Sequence, residues 1–159
     1  MKIAKQVARD HPDLEDLANL YARRVGGPPE FYEDYVSPYL TMVYSEPDLL
    51  VWEFQVKDIH CNRMGSLHGG CAATIIDICS SFAILVHEGK HQWDLIGISS
   101  LLQVSYVRGV SSGEKIRLEC QVQKVGKNLA NINTKVYDSK DQLLYFGPHT
   151  KFCIDMGKL

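Results

Sequence analysis

An aspartate stands where hydrocarbon is expected. The run from Cys71 to Val86 places Cys71, Ile75, Ile78, Cys79, Phe82, Leu85 and Val86 at helical spacing, with Asp77 in their midst. Asp77 is too far from the start of this run to act as a cap or to balance a helix dipole. A carboxylate there must be paired, protonated, or open to a cleft. Thr74, Asp77 and Ser81 follow one another at spacings of three and four, which draws a polar stripe along one face of an otherwise apolar helix. The bland alternative is a buried Asp satisfied by backbone or hydroxyl donors. A carboxylate facing a cleft is instead suited to general-base or nucleophilic work.

The second chemical feature is Leu67-His68-Gly69-Gly70, where a polar loop gives way to this helix. The first N–H groups of a helix have no acceptor within it and carry the positive end of the dipole. With no side chain at Gly69 or Gly70, a carbonyl oxygen can approach the backbone closely and be stabilised as an oxyanion. The alternative is a glycine-rich entry that makes only a tight turn. Gly69 and Asp77 are eight residues apart, hence about 12 Å along one helix at about 1.5 Å per residue. A base and an oxyanion hole serving one carbonyl must both reach the reacting atoms. If both act together, the carboxylate comes from a second copy of the helix running antiparallel, which places the site at a twofold dimer interface.

The elements that must hold these groups follow from changes of hydrophobic period. Leu14, Leu17 and Tyr21 recur at helical spacing, and Gly26-Gly27-Pro28-Pro29 stops that helix, so residues 1–40 read as a helical N-terminal extension. From Thr41 the period becomes two. A short strand at 41–46 pairs around Glu46-Pro47-Asp48 with one containing Leu50, Trp52, Phe54 and Val56. The helix from Gly69 to about His87 comes next, and then strand-like runs at 96–108, 114–125, 128–138 and 142–154. Turns are expected at Gly126-Lys127-Asn128 and Asp138-Ser-Lys-Asp141. The order of two strands, one long helix and four strands without βαβ alternation indicates an α+β fold: an antiparallel sheet of about six strands around one central helix, over residues 41–159.

Composition narrows the function. The 159 residues are 45% hydrophobic, enough for one core, and a net charge of −2 with no basic run speaks against a nucleic-acid partner. Cys61, Cys71, Cys79, Cys120 and Cys153 are odd in number and lack CxxC spacing, as expected of reduced thiols. No secretory h-region is visible, and the apolar run is short for a membrane span and holds Asp77, so stable membrane insertion is not expected. The cytosol is the expected compartment, with a mitochondrial location as the alternative. A metal site from His60, Cys61, His68 and Cys71 lacks regular ligand spacing and would set thiolates at the oxyanion hole. No metal or cofactor is called for.

Asn62-x-x-Gly65-x-Leu67-His68-Gly69-Gly70, then Ala73 and Asp77, Gly97-Ile-Ser99, Gly113-Glu114, Gly126-Lys127 and His149-Thr-Lys151 together resemble the hotdog thioesterases of the phenylacetate-degradation type, in the branch of thioesterase superfamily member 2. The resemblance spans about residues 41–154. It implies hydrolysis of an acyl-CoA, with the Gly69 N–H polarising the thioester carbonyl and Asn62 holding the carbonyl or the water. It also implies that Asp77 of the opposite subunit is base or nucleophile, that Ser99 orients the water and that His68 positions its neighbours, in a homodimer or homotetramer. Gly70 would line the substrate site, and Arg108, Lys124 and Lys127 would meet coenzyme A phosphates. Arg108-Gly109 departs from the Ser-Pro found there in many relatives. That departure and the N-terminal extension motivate the alternative of a noncatalytic acyl-CoA-binding or scaffolding protein.

Overall fold

Alternation along the chain is what gives the sheet one face for the helix. In the strands Lys115–Val125 and Leu129–Tyr137, alternate side chains are buried, so each strand offers one face to a core and one to solvent. A computed structural model describes residues 1–22 and 32–155. Its elements are β1 (Lys2–Ile3), α1 (Lys5–Asp10), α2 (Pro12–Ala22), β2 (Leu40–Glu46), β3 (Leu49–Gln55), α3 (Gly69–Ala83), β4 (Ile98–Leu102), β5 (Ser105–Tyr106), β6 (Lys115–Val125), β7 (Leu129–Tyr137) and β8 (Leu143–Phe152). The strands form one sheet in the order β1-β2-β3-β6-β7-β8-β4, with β5 also on β8.

Helix α3 packs on the concave face, against β3, β6, β7 and β8. Ala72, Ile75, Ile76, Cys79, Phe82 and Ala83 are fully shielded there. The Phe82 ring meets Trp52 of β3 edge to face, 5.5 Å between centroids. A single-turn 3-10 helix, Ile84–Val86, completes the expected length of α3. Gly69–Val86 is apolar and long enough to pass for a membrane span, yet 67% of it is buried inside the fold. Four of the cysteines are buried and all five are free. Burial pushes the Cys71 thiol up to about 11 and Cys120 to about 12.

Two features differ from the expected sheet. Its strands number eight among the described residues, and it is mixed, because β1 pairs in parallel with β2. The other is that the run expected at 96–108 is two short strands, β4 and β5, both antiparallel to β8. The break lies where the Gln103 backbone crosses β8. A Cβ at Gly147 would sit 1.8 Å from the Gln103 carbonyl oxygen, so the crossing requires glycine. Ahead of β4, Gly97 has φ +63, and a Cβ there would come within 2.5 Å of the Phe152 carbonyl oxygen. That close approach lets β4 begin against β8.

Helix α2 forms where Leu14 and Leu17 indicated, and Val7, Leu14 and Ala18 join the core. The expected stop at Gly26-Gly27-Pro28-Pro29 lies outside the described residues. At the far hairpin, the Asp138 carboxylate accepts N–H bonds from Lys140 and Gln142, which closes the turn before β8.

Candidate active site

The loop before α3 is built around Asn62. Its side-chain oxygen accepts the N–H groups of Met64 (2.9 Å) and Ser66 (3.2 Å), and its own N–H bonds the Ser66 carbonyl. These bonds commit the carbonyl end of the carboxamide and leave its NH2 end as the group free to donate to a ligand. Loop and helix meet at His68, the N-cap of α3, whose Nδ1 accepts the Gly70 N–H at 3.0 Å. Gly70 therefore spends its donor inside the protein.

The Gly69 N–H is left over, as is that of Cys71: among the described residues neither meets an acceptor, as expected in the first turn of a helix. Tyr106 of β5 donates its hydroxyl to the Gly69 carbonyl at 2.9 Å, with its ring edge over the glycine. This contact ties the helix start to the sheet. Nothing in the sequence singled out Tyr106.

Eight residues on, α3 is still an unbroken α-helix and carries Asp77, whose side chain is 44% exposed. The Ser99 hydroxyl donates to its Oδ1 at 2.9 Å, which β4 makes possible by pairing with β8 beside the helix. Behind this pair lies a buried polar cluster. His149 Nε2 is 2.9 Å from Ser99 Oγ and 3.4 Å from Asp77 Oδ1, and its Nδ1 is 2.7 Å from Ser80 Oγ. Lys151 Nζ donates to Ser81 Oγ at 2.7 Å and to Ser99 Oγ at 3.4 Å. Burial, reinforced by the Lys151 charge, lowers the His149 pKa to about 4 against the opposing pull of Asp77. Burial lowers that of Lys151 as well, and Asp77 again opposes it.

His149 and Lys151 entered the sequence reading only as the end of a matching motif. The available signal was period two: both fall on the inward face of β8, where ionisable side chains are rare without partners. Of the expected stripe, Thr74 and Ser81 spend their hydroxyl protons on the Gly70 and Asp77 carbonyls, at 3.0 and 2.6 Å. That leaves Asp77 as the member of the stripe with reactive chemistry.

The expected phosphate contacts do not gather in one chain. The Arg108 backbone bonds the Leu144 carbonyl at the start of β8, and its guanidinium donates to Gln142. Exposed Lys127 lies in the turn beside Asn128, whose carbonyl accepts the Cys153 N–H past the end of β8. The nine residue steps from Leu144 to Cys153 span about 30 Å at about 3.3 Å per residue. Arg108, on the run that leads to Val110 and its bond with Leu67, shares the helix-start end with Gly69. Lys124 and Lys127 are at the other end. Of the considered metal set, His60 has both ring nitrogens engaged, with the Lys57 N–H and the Tyr35 carbonyl.

Geometry of this kind offers a polarising N–H and a carboxylate with a hydroxyl partner, the parts needed to add water to an activated carbonyl. The family model described as the thioesterase superfamily matches residues 64–145. Mouse acyl-coenzyme A thioesterase 13 is 31% identical over 119 residues, covering 74% of this chain and 82% of that protein. Zebrafish thioesterase superfamily member 2 superposes with a TM-score of 0.74 at 28% identity, over 88% of this chain and 97% of that one. The PaaI protein of the phenylacetic acid degradation operon of Escherichia coli shares the fold, with a TM-score of 0.69 at 13% identity over 91% and 96% of the two chains.

Proposed function

Because this chain belongs to the thioesterase superfamily, we propose that it is an acyl-CoA thioesterase whose active site is shared between two copies of the chain. The observation that carries this reading is the Gly69 N–H without an acceptor, on the same unbroken helix as an Asp77 held by Ser99. The Gly69 N–H and the Asn62 NH2 take the thioester oxygen. Asp77 of a second copy removes a proton from water as the water oxygen bonds to the carbonyl carbon. Collapse of the tetrahedral intermediate breaks the carbon–sulfur bond, and the proton held by Asp77 goes to the departing thiolate. The products are a carboxylic acid and coenzyme A.

Two features support the shared site. Gly69 and Asp77 are separated along α3 by about 12 Å at about 1.5 Å per residue, beyond hydrogen-bond reach of one carbonyl. At the sheet edge, Ile98 and Leu101 of β4 are each 55% exposed, on a strand whose single partner among the described residues is β8. A bare apolar edge is the surface a second copy covers by strand pairing. A twofold axis beside β4 would also set the two α3 helices antiparallel, each Asp77 toward the Gly69 of the other copy.

The test of function is thiol release from a panel of acyl-CoAs of graded chain length. Turnover of at least one member is expected; binding of acyl-CoA without turnover of any would overturn the proposal in favour of a binding protein. A sharper variant is Asn62→Asp, which keeps the oxygen that organises the loop but loses the NH2 donor and adds a charge facing the oxyanion. The expected loss is about a hundredfold in kcat/KM with the melting temperature nearly unchanged. Unaltered kcat/KM would remove Asn62 from the carbonyl site.

A further inference from the structure

The ammonium of Lys151, 4% exposed on the inner face of β8, makes no direct salt bridge among the described residues. Burying such a charge is costly unless a countercharge compensates it. Asp77 is the anion that acts on it. The two are joined through hydroxyls, and a count of hydrogens shows how. Ser81 donates its proton to the Asp77 carbonyl at 2.6 Å, so it can only accept from Lys151. Ser80 donates to the Ile76 carbonyl at 2.6 Å, so it accepts from His149 Nδ1. Neutral His149 then carries its proton on Nδ1 and presents a lone pair at Nε2. Ser99 accepts from Lys151 and has one proton to give, with Asp77 Oδ1 and His149 Nε2 both 2.9 Å away.

Resting on the thioesterase reading, we infer that Lys151 is a positioning residue of this site. Its hydrogen bond to Ser99 fills the acceptor side of that hydroxyl and leaves the serine proton to be directed at Asp77. A lysine has donors only, so it cannot compete for that proton. Among the described residues, the titratable groups facing Asp77 are His149 and Lys151 of β8. β4 contributes the Ser99 hydroxyl, and α3 itself contributes Ser80 and Ser81. Removing the ammonium makes His149 easier to protonate, and a protonated Nε2 donates toward Asp77 Oδ1 and occupies the base, so the acid side of the activity profile moves toward higher pH.

The experiment compares kcat/KM against pH for the parent, Lys151→Met and Lys151→Arg on an acyl-CoA that the parent hydrolyses. The acid limb of Lys151→Met is expected to rise by about one pH unit, a tenfold loss below the limb, with Lys151→Arg returning toward the parent. A uniform loss at every pH, with the limb unmoved, would overturn the inference. A stability cycle on Asp77→Asn, Lys151→Met and the double variant at neutral pH needs no turnover, so it separates failure here from failure of the thioesterase reading. The double variant is expected to melt no lower than Asp77→Asn alone, because it no longer buries an uncompensated ammonium. Additive losses would overturn the pairing. Should Lys151→Met fail to fold, folding of the double variant would support the pairing, and failure of both would overturn it.

Discussion

Replacing Asp77 by Asn is expected to lower kcat by about a thousandfold or more while the proposed dimer persists, since a positioned base contributes on that scale. The substitution is nearly isosteric, and an amide oxygen can still accept from Ser99, which donates to Asp77 Oδ1 at 2.9 Å. The carboxylate's capacity to take a proton is what disappears. Steady-state thiol release, with gel filtration of the same sample, measures this. Activity within tenfold of the parent would remove Asp77 from the chemistry. A single turnover of the parent in isotopically labelled water then distinguishes the routes: label in Asp77 itself would establish attack by the carboxylate through a mixed anhydride, in place of activated water.

Gly69→Pro is expected to lower kcat by about a hundredfold, because it deletes one donor to the developing oxyanion. Proline is favoured at the first position of a helix, where its missing N–H breaks no helical bond. Its predecessor His68 has ψ 132, an extended conformation that a following proline accepts. The fold should survive, as a melting curve will show. Mixing this variant with Asp77→Asn tests the shared site. A mixed dimer combines the intact Gly69 of one copy with the intact Asp77 of the other, so random reassortment should restore about a quarter of the parent's sites. No recovery after verified subunit exchange would return both groups to a single chain.

Several elements were legible because a local pattern decides them. The apolar run that begins after two glycines could only be a buried helix, and Asp77 stood out by breaking it. The strands from Lys115 onward announce themselves by alternation and by turn residues such as Asp138. The sites of β1 and the β4–β5 break were not legible. β1 is two residues long, and the break depends on where Gln103 crosses Gly147, a neighbour 44 positions further on in the chain.

The same division runs through the candidate site. Gly69 and Asp77 could be marked by residue type and spacing, since a helix start and a lone carboxylate in an apolar stretch have consequences wherever the chain goes; Asn62 was marked only by the resemblance of its motif. What each group does with its hydrogen bonds was decided in three dimensions: His68 consumes the Gly70 donor, and Asn62 turns its oxygen inward. Arg108 and Lys127 looked equivalent as cations, and the length of β8 separates them. His149 and Lys151 acquire meaning only because β8 lies between β7 and β4, which brings Ser99, 50 and 52 residues away in sequence, against them. By itself, the sequence determined that a carboxylate and a bare N–H lie a fixed distance apart on one helix, because helical rise is local geometry. Only the tertiary structure decided which charges and hydroxyls surround that carboxylate, because strand order is set by packing among residues remote in the chain.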